Sequence, residues 1–196
     1  MSPRRVFSLL YFLSGATGLL YQVVWSRALT LEMGHTAAAV STVLAAFMGG
    51  LALGATLGGR RASNIDGASA LRSYAALEGL VAIAAVLVAP GLSLAAPLLA
   101  AAYRDGAGGA GFALLRLALS LTVIALPATA MGATLPVAVR WLESAAPSTA
   151  GRLAGRLYAL NTLGAGVGAA LTGFVLLPAL GLTWTTMNVV TIMVKA

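Results

Sequence analysis

The chain contains no cysteine. That excludes disulfides, thiolate metal sites and thiol catalysis. Its single histidine, His35, cannot build an imidazole metal cluster, and no Ser-His-Asp set can form around it. Acidic residues are scarce: five Asp and Glu stand against twelve Lys and Arg. Walker sequences and a strand-borne G-x-G-x-x-G are missing, and the Gly106–Gly111 run lacks both a preceding strand and a Lys-Ser/Thr ending. No catalytic, cofactor-binding or metal-binding residues are expected, and the chain is not expected to be an enzyme. Basic and aromatic residues do not interleave, so the net charge of +7 reads as membrane topology and lipid-headgroup charge rather than nucleic-acid binding. Charge is rare altogether, at 9% of residues against 60% apolar, which excludes an ordinary soluble domain.

What fills the chain instead is apolar sequence in stretches long enough to cross a bilayer. Backbone groups in lipid must pair within the segment, so the expected fold is all-α, a polytopic transmembrane helix bundle. About six spans fit in a single domain over residues 1–196. They are Val6–Trp25, Thr36–Gly59, Leu71–Ala89, Phe112–Val139, Leu153–Leu177 and the short Thr183–Val194. Pro90 and Gly91 interrupt the third, whose tail to Tyr103 either extends it with a kink or forms a short interfacial helix. Pro127 and Pro136 fall inside the fourth, as a plain kink or as a break that frees carbonyls for a cation. Pro178 and Gly181 mark the turn after the fifth. No cleavable signal peptide is expected, because the first apolar run is long and lacks a small-residue cleavage site.

If every span crosses, Arg4, Arg5, Arg60, Arg61, Arg72, Arg140, Arg152, Arg156 and Lys195 share one side, with Arg27 and Arg104 on the other. The positive-inside rule then puts the N-terminus in the cytoplasm of a bacterial inner membrane, multi-pass.

Gly50, Gly54 and Gly58 recur at every fourth position, as do Gly164 and Gly168, forming smooth stripes that let a neighbouring backbone approach. Tight packing within the chain and a sliding interface for alternating access both use such stripes. Glu78 lies roughly 9 Å along its span from Arg72, and Asn161 about 7–8 Å from Arg156, on the same side. At similar depth the two can meet. One reading is a site for a cation or amine, or a proton relay, with Tyr158 and Gln22 lining the path. The other is a carboxyl kept neutral by burial and hydrogen-bonded to Asn161 or Tyr158. Tyr21 and Trp25 end the first span like an interfacial aromatic belt.

Four stretches carry a resemblance: FLSGATGLLYQVVWSRAL (Phe12–Leu29), GHTAAAVSTVLAAFMGGLALGATLGGR (Gly34–Arg60), LPATAMGATLPVAVR (Leu126–Arg140) and GRLYALNTLGAGVGAALTGFVLLPALGL (Gly155–Leu182). Together they resemble the membrane part of bacterial membrane-bound spermidine synthase-like proteins, a major-facilitator-like domain fused to a polyamine aminopropyltransferase-like domain. The resemblance implies half of a major-facilitator transporter in the cell inner membrane. The family's aminopropyl transfer belongs to a soluble Rossmann-like domain, whose Gly-rich loop and acidic residues are not among these 196 residues. In that family an acid often stands at the position of Gln22, so cation coupling through the first span is not implied here. The loop from Gly58 to Leu71 resembles the transporter signature between spans two and three.

Three functions are therefore in view. The favoured expectation is a non-catalytic accessory subunit that packs against a partner membrane protein or a second copy, since a half-transporter leaves one face unpaired. The second is a transporter-like domain that binds or moves a polyamine or other small cationic metabolite at Glu78. The third is a membrane anchor for an aminopropyltransferase. Beyond these partners the chain meets the lipid bilayer and no nucleic acid.

Overall fold

The computed structural model describes residues 3–33, 37–103, 109–182 and 184–185. His35, Arg104, Lys195 and, apart from Trp184 and Thr185, the expected sixth span lie outside those residues. Among the described residues the chain is helical throughout and has no strand. We label the helices α1 (Pro3–Met33), α2 (Ala37–Ala62), α3 (Gly67–Ala102), α4 (Ala110–Ala145) and α5 (Pro147–Leu182). Among the described residues, five helices are long and apolar enough to cross a membrane, by length and composition. The shortest such stretch, the 22 residues of Gly67–Val88, rises about 33 Å against a hydrocarbon core of roughly 30 Å.

Helices overrun the boundaries expected from polar residues. α1 continues past Trp25 for two more turns, and α3 passes through Pro90 and Pro97 without a break, so its tail extends the helix. α4 likewise passes Pro127 and Pro136. Its one irregularity is a π-helical turn at Leu121–Ala125, and α5 has another at Thr172–Leu176. Each ends two residues before a proline, Pro127 or Pro178. A proline ring collides with the carbonyl four residues back, here Val123 or Phe174, both inside the π turn. Widening that turn makes room for the ring, and the helix resumes. Pro178 therefore does not end α5. Gly181, at φ +70°, comes at its end, where the Thr185 hydroxyl donates to the Gly181 carbonyl at 2.6 Å.

The tight connection between α2 and α3 is held by side chains. Asn64 Nδ2 and the Ser63 hydroxyl both donate to the Arg60 carbonyl, satisfying an orphan acceptor at the end of α2. Asp66 caps α3, its Oδ1 accepting the Ser69 N–H at 2.7 Å. The Ser69 amide and hydroxyl hold the Asp66 carboxyl below its usual range, with Arg72 and Arg140 adding a smaller Coulombic pull. From the end of α4, Arg140 Nε donates to the Ile65 carbonyl at 2.8 Å. Phe7 of α1 packs on Trp141 of α4, ring centroids 4.4 Å apart, and on Tyr74 of α3 at 5.4 Å. These contacts gather the start of α1, the α2–α3 turn and the end of α4 at one arginine-rich end of the bundle.

Packing follows the glycines. α2 lies against α4, and α1 against α5, as the two closest helix pairs, with α3 on the other flank of α4. A Cβ at Gly50, Gly54 or Gly58 would strike the α4 backbone or its small side chains at Ala125–Ala133, and one at Gly132 of α4 would strike the Leu51 backbone in return. A Cβ at Gly164 or Gly168 would strike Phe12 or Ala16 of α1. The stripes are thus used between helices of this chain. Threonine hydroxyls turn inward to their own helices: Thr129, Thr134 and Thr172 donate to the Ala125, Met131 and Gly168 carbonyls at 2.6–2.7 Å.

Two apolar clusters stack along the bundle axis. One, toward the arginine-rich end, joins Phe7, Tyr11, Tyr74, Val137 and Leu142. The other joins Tyr21, Trp25, Phe47, Val81 and Ile124. Between them, on three helices, the sequence places Ser14 and Thr17 (α1), Glu78 (α3) and Thr134 (α4).

Candidate functional site

That polar waist is the candidate site among the described residues. Glu78 is half-buried one turn beyond Tyr74, and its Oε1 accepts a hydrogen bond from the Ser14 hydroxyl at 2.6 Å. The buried Tyr74 hydroxyl interacts with both Glu78 and Ser14, and that of Tyr11 with Thr134. Tyr11 and Tyr74 lie 6.0 Å apart, centroid to centroid, on the arginine-rich side of the waist. On the far side stands Tyr21, fully buried and close enough to feel the Glu78 charge. Among the described residues the ion pair present is Arg140–Glu143 at 3.7 Å, near the surface, and Glu78 has no basic partner. A carboxyl group among hydroxyls and tyrosine rings has the chemistry to hold a proton or a small organic cation. Among the described residues no three of His, Cys, Asp and Glu converge.

The expected lining residues do not assemble around Glu78. Asn161 is tied to α1 instead: its Nδ2 donates to the Tyr11 carbonyl at 3.2 Å, in a crossing so close that a Cβ on Gly15 would strike it. α1 holds Glu78 through Ser14 and Asn161 through Tyr11, and the two side chains do not bond to each other. Tyr158 is 62% exposed on the outside of α5, away from the waist. Gln22 is half-buried on α1, eight residues past Ser14 and so roughly 12 Å along the axis. Matching depth on two helices does not bring side chains together when a third helix, here α1, packs against both.

Ser14, Tyr74 and Tyr11 were missed as site residues. A signal existed, since Tyr74 precedes Glu78 by four residues and Tyr11 precedes Ser14 by three, spacings that share a helix face. Tyr21 and Trp25 depart from the interfacial belt expected of them. They stack in the core with centroids 5.4 Å apart, 0% and 1% exposed. The Tyr21 hydroxyl and Trp25 indole N–H have no hydrogen-bond partner among the described residues.

Two open grooves of about 510 and 460 Å³ flank the α2–α4 crossing, and Glu78 lines neither. No family model, curated protein or solved structure matches the chain.

Proposed function

We propose that this chain is a multi-pass, transporter-like membrane bundle in which Glu78 binds a small cation, a polyamine or a proton. It is the non-catalytic membrane part of a protein similar to the membrane-bound spermidine synthases, seated in a bacterial inner membrane with its N-terminus cytoplasmic. The observation that carries this reading is the waist itself: an acid with no basic partner among the described residues, held by Ser14 and Tyr74 between two apolar clusters. Intramembrane acids are costly to keep and mark ion or substrate paths by default. Tyrosine rings near the carboxyl group are compatible with an organic ammonium as well as with a proton. The glycine stripes are occupied within the chain, so they do not argue for a partner in the accessory-subunit reading. The test is uptake of labelled spermidine, and dye-reported proton flux, in proteoliposomes. Glu78→Gln should abolish the signal while Glu143→Gln, at the surface, leaves it intact. Equal flux through wild type and Glu78→Gln refutes the assignment. A bundle that carries no cation and purifies with a second membrane protein in mild detergent would restore the accessory role.

A further inference from the structure

A second site lies at the arginine-rich end, remote from the waist. There α1, α4 and α5 enclose a cavity of about 240 Å³ lined by Arg5, Phe7, Ser8, Trp141, Leu153 and Arg156 among others. It is more enclosed and more polar than the grooves beside α2. Its two arginines come from different helices, α1 and α5. Neither takes part in an ion pair among the described residues. Apart from Ser8, the remaining wall is apolar and aromatic, with Phe7 and Trp141 packed ring on ring. Two arginines, both exposed, line this one cavity from different helices, and a guanidinium binds the oxygens of a phosphate through paired N–H donors. The apolar wall beside them suits the carbon frame that a phosphodiester carries.

We infer that this cavity binds a phosphate-bearing anion, held by Arg5 and Arg156 and backed by Trp141. In a membrane bundle the same chemistry is offered by an anionic lipid headgroup and by soluble phosphate, and basic pockets between helices at a membrane edge take the former. Acyl carbons would then lie along Leu153 and the Phe7 ring.

The test uses the full chain in neutral detergent. Retention of added phosphatidylglycerol and of zwitterionic phosphatidylcholine is read by native mass spectrometry, and inorganic phosphate is titrated calorimetrically in a parallel arm. The double variant Arg5→Gln/Arg156→Gln is compared with Arg60→Gln/Arg61→Gln, which removes equal charge outside the cavity. Helical circular dichroism of both confirms that each still folds. Preferential phosphatidylglycerol retention that falls about tenfold or more in the first variant and not the second supports the site with a lipid occupant. Phosphate binding with the same dependence supports it with a soluble occupant. Equal losses in both variants, or no loss in either, overturn it. The waist plays no part in this readout, so failure here leaves the cation assignment standing.

Discussion

Gly54 offers the sharpest test of how the bundle is held. A Cβ there would sit 2.7 Å from the Thr129 carbonyl carbon and 2.9 Å from its Cα, with the carbonyl oxygen closer still. Ordinary contacts run 3.4–4 Å. The obstacle is backbone, which cannot rotate aside, so α2 must withdraw from α4 by roughly 1 Å. A gap of about 0.5–1 Å already forfeits a quarter to a half of the dispersion attraction across it. Gly54→Ala is therefore expected to cost about 1–3 kcal/mol, as overpacked cores do. Gly59, five residues on, has nothing within 4 Å of its Cβ position. Gly59→Ala removes backbone freedom at no steric cost and should be neutral or stabilising by up to about 1 kcal/mol. The same contrast is expected between Gly168, which meets the Ala16 backbone, and Gly166, which meets nothing. Reversible unfolding of the four variants in mixed detergent–dodecyl sulfate micelles measures it. If Gly54→Ala and Gly168→Ala are as stable as Gly59→Ala and Gly166→Ala, the two crossings do not hold the bundle together in this way.

Ser14→Ala removes the hydroxyl that bonds Glu78 and should destabilise the bundle by about 1–3 kcal/mol. Because Tyr74 reaches the same carboxyl group, the double variant with Tyr74→Phe should cost more than the sum of its parts, and an additive cycle in the same unfolding assay would separate the two groups. Tyr21→Phe deletes a buried hydroxyl that has no partner, so stability should stay level or rise by about 1–3 kcal/mol. A clear loss would mean that the hydroxyl is satisfied in the folded protein. Asp66→Ala should lower the melting temperature at neutral pH. Its folded carboxyl is held below the usual 3.8, so its contribution is complete above that value. The contribution fades as pH falls below 3.8 through the lowered folded value, and melting curves of both proteins from pH 7 to about 2.5 should converge only there. Convergence already near pH 5 would contradict the cap.

Much of the architecture was legible because it is local. Long apolar runs predict helices whose length matches a bilayer, and all five described helices begin within six residues of where those runs predict. Their ends were less legible. Polar residues at Ser26 and Arg27 suggested an end to the first span, but a helix pairs its own backbone wherever it runs and can carry a few polar side chains past the apolar stretch. Pro178 misled for a related reason. It looks like the start of a turn, but a π turn absorbs the steric conflict within the helix, as another does before Pro127, and hydropathy carries no trace of that.

The waist was half legible. Glu78 stood out because an acid in an apolar run is conspicuous under any fold. Its partners did not, since they depend on how each helix is rotated about its axis and which neighbour it meets. In a chain apolar on nearly every face, no amphipathic stripe records that rotation. Hence Asn161 and Tyr158 matched Glu78 in depth and still missed it, while Tyr21 and Trp25, ordinary candidates for an interface, turned inward.

By itself, the order of residues determined the class of protein, its long apolar helices, the grouping of arginines near alternate helix ends and the glycine stripes that permit close crossings. Only the tertiary structure decided that α1 holds Glu78 and Asn161 separately, that the stripes are spent inside the chain, and that Arg5 and Arg156 share a cavity. Local composition sets which groups can lie in a bilayer. Which of them touch is set by long-range packing, where steric fit between helices far apart in the chain outweighs any preference written along one of them.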